Sequence, residues 1–175
     1  MSSNAREKML RRAARDIRSG MTVNLGIGLP TQVLKYVPED ASVCLHSENG
    51  ISGVGPKTLP GEENRNLIDA GGDYVSVRPG GAFFDSAVSF ALVRSGRLDF
   101  SLLGAFEVAA NGDLANWTIP GRFTPGAGGA IELAQRARQV AVITTHTDKK
   151  GRPKILESCQ LPLTAPRCVD RIYTD

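Results

Sequence analysis

The sequence predicts an open α/β fold, with a largely parallel sheet flanked by helices. Three observations predict it. Apolar runs at 41–46, 98–103 and 139–145 read as buried strands and are separated by stretches of helical spacing, the alternation that βαβ units produce. Two glycine turns, at 26–30 and 125–130, each run into a helical stretch. Such turns expose backbone N–H groups at a helix start. Finally, the polar tetrapeptide Ser47-Glu48-Asn49-Gly50 directly follows an apolar run, and open α/β sheets take ligands outside the carboxyl ends of their strands.

Taken in order, residues 5–19 place Met9, Leu10, Ala13, Ala14 and Ile17 on one helical face, with Arg and Lys on the other. Asn4 and Glu7 have the form of a capping box, and Gly20 that of a stop. Residues 21–25 read as a strand and 31–37 as the helix after the first glycine turn. The strand at 41–46 then delivers Glu48. The stretch 51–56 is expected to be irregular, and 51–72 a long loop of the functional or mobile kind. Residues 74–77 alternate like a strand that ends in Arg78-Pro79-Gly80-Gly81.

Residues 83–94 read as an apolar helix packed on the sheet through Phe83, Ala87, Phe90 and Ala91. A buried strand follows at 98–103. Residues 106–108 and 114–117 flank Asn111-Gly112, a hairpin insertion signal, and Trp117 is expected as a core or interface anchor. A helix at 131–138, a strand at 139–145 and a last strand at 169–173 complete the chain. His146 ends its strand and reads as structural, with Lys149, Lys150 and Arg152 just beyond in a solvated loop or a phosphate-receiving one. The 175 residues read as one domain.

Composition narrows the function. Net charge is +3 and the basic residues are dispersed, which argues against nucleic acid. Three cysteines without CxxC spacing and only two histidines argue against a Cys/His zinc site and fit a reducing cytoplasm. The N-terminus lacks a signal-peptide pattern, and no run approaches the ~20 apolar residues of a membrane span. Glu48 is the candidate reactive carboxylate. Spacing alone favours a plain turn, with Ser47 and Asn49 bonding local backbone and Gly50 at positive φ.

Several motifs together resemble a known family. They are Val23-Asn24-Leu25-Gly26-Ile27-Gly28-Leu29-Pro30-Thr31, His46-Ser47-Glu48-Asn49-Gly50, Gly112-Asp113-Leu114-Ala115-Asn116-Trp117, and the stretches 126–130 and 169–172. The chain resembles the β (B) subunit of family I coenzyme A transferases of the 3-oxoacid type: succinyl-CoA:3-ketoacid, 3-oxoadipate and acetate–acetoacetate transferases. The resemblance reverses the weighting of Glu48, since it maps the family's covalent nucleophile there. It implies CoA transfer between an acyl-CoA and a small (3-oxo)carboxylic acid through a glutamyl-CoA thioester. CoA is then co-substrate and covalent intermediate, with no permanently bound cofactor and no metal.

The resemblance also implies an oxyanion N–H at Gly129. It further implies a hetero-oligomer, a heterodimer or heterotetramer, with the family's α (A) subunit as the partner that supplies a second donor. Asn49 is the candidate for orienting the carboxylate. Gly26, Gly28, Ser47 and Gly128 are candidates for substrate contact, and Lys149, Lys150 and Arg152 for the CoA phosphates. Related β subunits continue beyond 170–175, so the chain is expected to be shortened there. Two alternatives stay open: a non-catalytic partner subunit, and an acyl-CoA hydrolase using the same glutamate.

Overall fold

The computed structural model describes residues 3–124 and 126–175. Pro125, which opens the second glycine turn, lies outside the described residues. In chain order the elements are α1 (Ser3–Ala14), β1 (Thr22–Leu25), a 3-10 helix (Pro30–Tyr36), β2 (Cys44–Ser47), β3 (Ile51–Lys57) and β4 (Val75–Phe83). After them come α2 (Ser86–Arg94), β5 (Phe100–Leu103), β6 (Glu107–Ala109), β7 (Leu114–Ala115), α3 (Ala130–Arg136), β8 (Val140–Ile143), β9 (Ile155–Leu156) and β10 (Arg171–Tyr173). Among the described residues, seven strands form the main sheet in the order β10-β8-β5-β1-β2-β3-β4. From β10 to β2 every neighbour is parallel, while β3 and β4 are antiparallel additions. The predicted hairpin at Asn111-Gly112 joins β6 to β7, which with β9 make a separate three-stranded sheet.

Both faces of the parallel strands are covered, as their continuous apolar runs require. On one face Val23, Phe100, Leu102, Ala141 and Ile143 pack with Met9, Leu10, Ala13 and Ala14 of α1. On the other, Leu103, Val140 and Val142 pack with Val108, Leu114 and Ala134. Val23, Phe100 and Leu102 have no exposed surface, and burying each such side chain contributes about 2 kcal/mol. Among the described residues, no helix is long and apolar enough to cross a membrane.

The structure corrects the expected elements in several places. Residues 51–56 are not irregular: they form most of β3, and the long loop starts only after Lys57. The glycines and proline there mark bulges instead, with Gly53 at φ 77° and the pairing with β4 shifting register twice. Likewise β4 does not end at Arg78 but runs through Pro79, Gly80 and Gly81 to Phe83. It is an edge strand, where proline is tolerated.

α2 therefore starts at Ser86, and Asp85 caps it by accepting from Val88 N–H at 2.8 Å. Phe83 is outside the helix and 65% exposed. The stripe that α2 buries is Ser89 and Val93, narrower than the apolar composition suggested; Ala87 and Ala91 face water. The segment after Pro30 is 3-10 rather than α, with Gln32 N–H bonding Leu29 C=O and Val37 N–H bonding Leu34 C=O. Asn4 lies inside α1 and does not cap it, and that helix ends at Ala14, before residue 19.

Candidate active site

The site is built where β1 and β2 end side by side. The two strands pair in parallel, with Asn24 opposite His46. β2 stops at Ser47, and a tight turn reverses the chain into β3, closed by Gly50 N–H to Ser47 C=O at 3.0 Å. Gly50 sits at φ 121°, and a Cβ there would lie 1.9 Å from the Phe84 carbonyl oxygen. No other residue fits that position. The turn reading of the tetrapeptide is therefore correct for the backbone and for Gly50, but Ser47 and Asn49 bond distant backbone, at Ala70 and Ile68, and not the turn itself. Its consequence is to leave Glu48 just past the carboxyl edge of the sheet.

Two groups fix Glu48. The Asn24 Nδ2 donates to Glu48 Oε2 at 3.0 Å and to the His46 carbonyl at 3.1 Å. The second glycine turn also stands against Glu48. A Cβ on Gly129, which precedes α3, would lie 3.1 Å from Glu48 Cγ and 3.0 Å from Phe90 Cζ. Gly129 has an ordinary φ of −76°, so space and not backbone conformation demands glycine there. His46 beneath is buried, bonded through Nε2 to Ser89 Oγ at 2.9 Å and stacked on Phe84 at 6.3 Å. Burial pushes its pKa below the usual histidine range, partly opposed by the nearby Glu48 charge.

A cleft of about 100 Å³ opens in front of the carboxylate, with Ile27, Gly28, Thr31, Leu34 and Gly71 among its walls. Gly26 packs on β5, its N–H donating to Leu102 C=O at 2.8 Å. Gly28, at φ 90°, borders open space, as does Gly128 at φ 55°. Ser47 Oγ accepts from Ala70 N–H at 2.9 Å and so pins the loop after β3 at the cleft rim.

One expectation is corrected. Asn49 does not orient Glu48; it is exposed, and its amide donates to Ile68 C=O at 2.7 Å. Arg152 bonds Asp148 through its backbone N–H at 3.0 Å and its guanidinium at 2.8 and 2.7 Å, and these contacts, the backbone one foremost, pull the Asp148 carboxyl down to about 2. Lys149 and Lys150 are exposed in the same loop after β8. That strand is three positions from β2 in the sheet, roughly 14 Å at the usual strand spacing. Asn24 is the orienting group instead, a residue that the sequence motifs contain without singling it out. Its signal is an amide side chain set inside an otherwise apolar strand end. Among the described residues, no cluster of His, Cys, Asp and Glu is arranged to hold a metal ion.

A mostly parallel α/β sheet with a fixed carboxylate at its carboxyl edge is the architecture of an enzyme that binds substrate at that edge. The profile of the coenzyme A transferase family matches residues 6–175. The chain is 52% identical over 171 residues to the B subunit of the 3-oxoadipate CoA-transferase of Acinetobacter baylyi, covering 97% of this chain and 79% of that protein. It is 49% identical over 170 residues to the beta subunit of a probable coenzyme A transferase of Bacillus subtilis, covering 97% and 78%. In three dimensions it superposes on an acyl-CoA transferase apoenzyme from Escherichia coli O157:H7 with a TM-score of 0.74 at 21% identity, covering 99% of this chain and 35% of that one. That last likeness speaks to the fold alone. The chain belongs to the coenzyme A transferase family. Within it, the chain is of the β type, and its enzyme class is CoA-transferase.

Proposed function

We propose that Glu48 is the nucleophile through which this protein moves CoA between an acyl-CoA and a small (3-oxo)carboxylic acid. The observation that carries this reading is the Glu48 carboxylate, bonded by Asn24 and closely approached by Gly129. The bond from Asn24 occupies Oε2, leaving Oε1 for attack on the acyl-CoA thioester. The carbon–sulfur bond breaks, giving an acyl-glutamyl anhydride and CoA thiolate. The thiolate then attacks the glutamyl carbonyl, the donor carboxylate leaves, and a glutamyl-CoA thioester remains. The acceptor carboxylate runs the same steps in reverse. No proton moves in any step, so no general base is required, in keeping with a neutral buried His46.

Each tetrahedral intermediate develops an oxyanion, and one fixed donor to it is worth about 3 kcal/mol. The Gly129 N–H is the donor from this chain, with Gly128 giving the turn its left-handed step. A second donor comes from a partner of the α type, a reading supported by the naming of the relatives as B or beta subunits. Lys149 and Lys150 meet the CoA phosphates, and the enzyme works in the cytoplasm. Glu48→Ala in the assembled enzyme tests the reading: turnover is expected to fall by at least about 10⁴-fold, the scale of losing a covalent nucleophile. Transfer retained within tenfold would exclude Glu48.

A further inference from the structure

Beneath Glu48 the sheet carries a row of buried polar side chains that the transfer steps do not use. Asn24 of β1 stands in register with Ser101 of β5 on one side and with His46 of β2 on the other. Asn24, Ser101 and His46 are 1%, 0% and 6% exposed. In-register neighbours point to the same face of a sheet, about 4.8 Å apart. Each of the three carries a polar atom with no hydrogen-bond partner among the described residues: Asn24 Oδ1, Ser101 Oγ and His46 Nδ1.

The Asn24 amide has a forced orientation. Its Nδ2 faces two acceptors, Glu48 Oε2 and the His46 carbonyl. Reversed, it would set Oδ1 against both. The oxygen therefore points into the sheet face, where the described residues offer it no donor. Native proteins rarely leave such a group unsatisfied. The flanking groups are a hydroxyl that rotates freely and a ring nitrogen whose partner nitrogen is already bonded to Ser89. The single strand spacing between Asn24 and Ser101 suits a bridging molecule with legs of about 2.8 Å.

We propose that an ordered water bound between Ser101 Oγ and Asn24 Oδ1 completes this row, making Ser101 a positioning residue for Glu48. The water donates to Asn24 Oδ1, which holds Nδ2 toward the carboxylate and keeps Glu48 in the rotamer that lies beside Gly129. Ser101 fixes the water and never touches substrate. The inference rests on the reading of Glu48 as nucleophile.

The test measures the rate of CoA attachment to Glu48 in a single turnover of the assembled enzyme, with a short-chain acyl-CoA as probe. Wild type, Ser101→Ala and Ser101→Thr are compared. Ser101→Ala is expected to slow attachment about tenfold, the effect of losing one buried hydrogen bond, while KM for the acyl-CoA and the melting temperature stay near wild type. Ser101→Thr, which keeps the hydroxyl, is expected to restore the rate. An unchanged rate in Ser101→Ala would overturn the positioning role, as would a loss equal in both variants. Wild type without any adduct would instead overturn the Glu48 reading and this inference with it. A high-resolution crystal structure of the assembled enzyme gives an independent check. Density for a water within about 3.2 Å of Asn24 Oδ1 supports the proposal, and a protein donor in that place contradicts it.

Discussion

Three residues define what Glu48 can do, and each constrains it differently. Asn24 sets the carboxylate rotamer through one 3.0 Å bond. Gly129 sets how closely a helix start approaches it. Gly50 sets the turn that brings it to the sheet edge, because any side chain there would strike the Phe84 carbonyl. Gly129→Ala separates geometry from folding. The added methyl meets Glu48 Cγ and Phe90 at 3.1 and 3.0 Å, while the backbone angle suits alanine. Expected is a loss of turnover of about 100-fold, as for a reacting group moved by an ångström. The stability cost in a denaturant titration is expected to be about 1 kcal/mol or less. Wild-type turnover in that variant would mean that Gly129 does not border the reacting atoms.

At this scale the sequence is partly legible. Glu48 stands out as a carboxylate at a strand end, but spacing alone favours a plain turn there, and the resemblance to the family is what singles out Glu48 and Gly129. The roles of Asn24 and Asn49 do not stand out, because the pattern shows only which residues are polar. It does not show that the β1–β2 register puts Asn24 beside the carboxylate while the turn points Asn49 to Ile68.

At the level of elements, β2 and α2 are tied through a buried pair, His46 Nε2 and Ser89 Oγ, at 2.9 Å. Burial lowers the His46 pKa from its ordinary value of 6.5. The unfolded chain therefore takes up this proton at higher pH than the folded one. Stability is complete above pH 6.5 and declines as pH falls through the depressed folded value. Thermal melts from about pH 7.5 down to about 5 are expected to show this decline, and His46→Gln to lessen it. Identical slopes in the two proteins would assign the decline to other groups.

The elements also show where period reading fails. The parallel strands β1, β2, β5 and β8 are legible as apolar runs because burial on both faces leaves no alternation to confuse. β3 and the second half of β4 are not, because their glycines and prolines mimic a loop. Bulges and an edge position let a strand hold such residues.

Across the whole molecule, the first helix and the last strand are joined by one carboxylate. Asp16, nearly buried, accepts from the Tyr173 hydroxyl at 2.5 Å and pairs with Arg12 and Arg171 at 2.8 and 2.9 Å. Burial alone would raise its pKa, but these three partners outweigh that and lower it. Tyr173, buried beside the charge, is pushed up to about 12. Asp16→Asn is expected to cost about 2 kcal/mol in a urea titration, with turnover per folded enzyme unchanged because the contact lies away from the Glu48 cleft. A stability change under about 0.5 kcal/mol would show that the three partners re-solvate without loss.

The fold class is legible at this scale, and so is the family, since the motifs are spread from residue 23 to residue 172. The three-way contact of Asp16 is not. It joins positions 157 residues apart, and nothing local to either end announces it.

The central claim is that Glu48 carries CoA. The most direct measurement is intact-protein and peptide mass spectrometry of this chain, assembled with its partner and exposed to an acyl-CoA without acceptor. The prediction is one CoA attached through a thioester to Glu48, released when an acceptor acid is added and absent in Glu48→Ala. An assembled enzyme that transfers CoA in steady state yet shows no adduct on Glu48, or carries one on another residue, would contradict it.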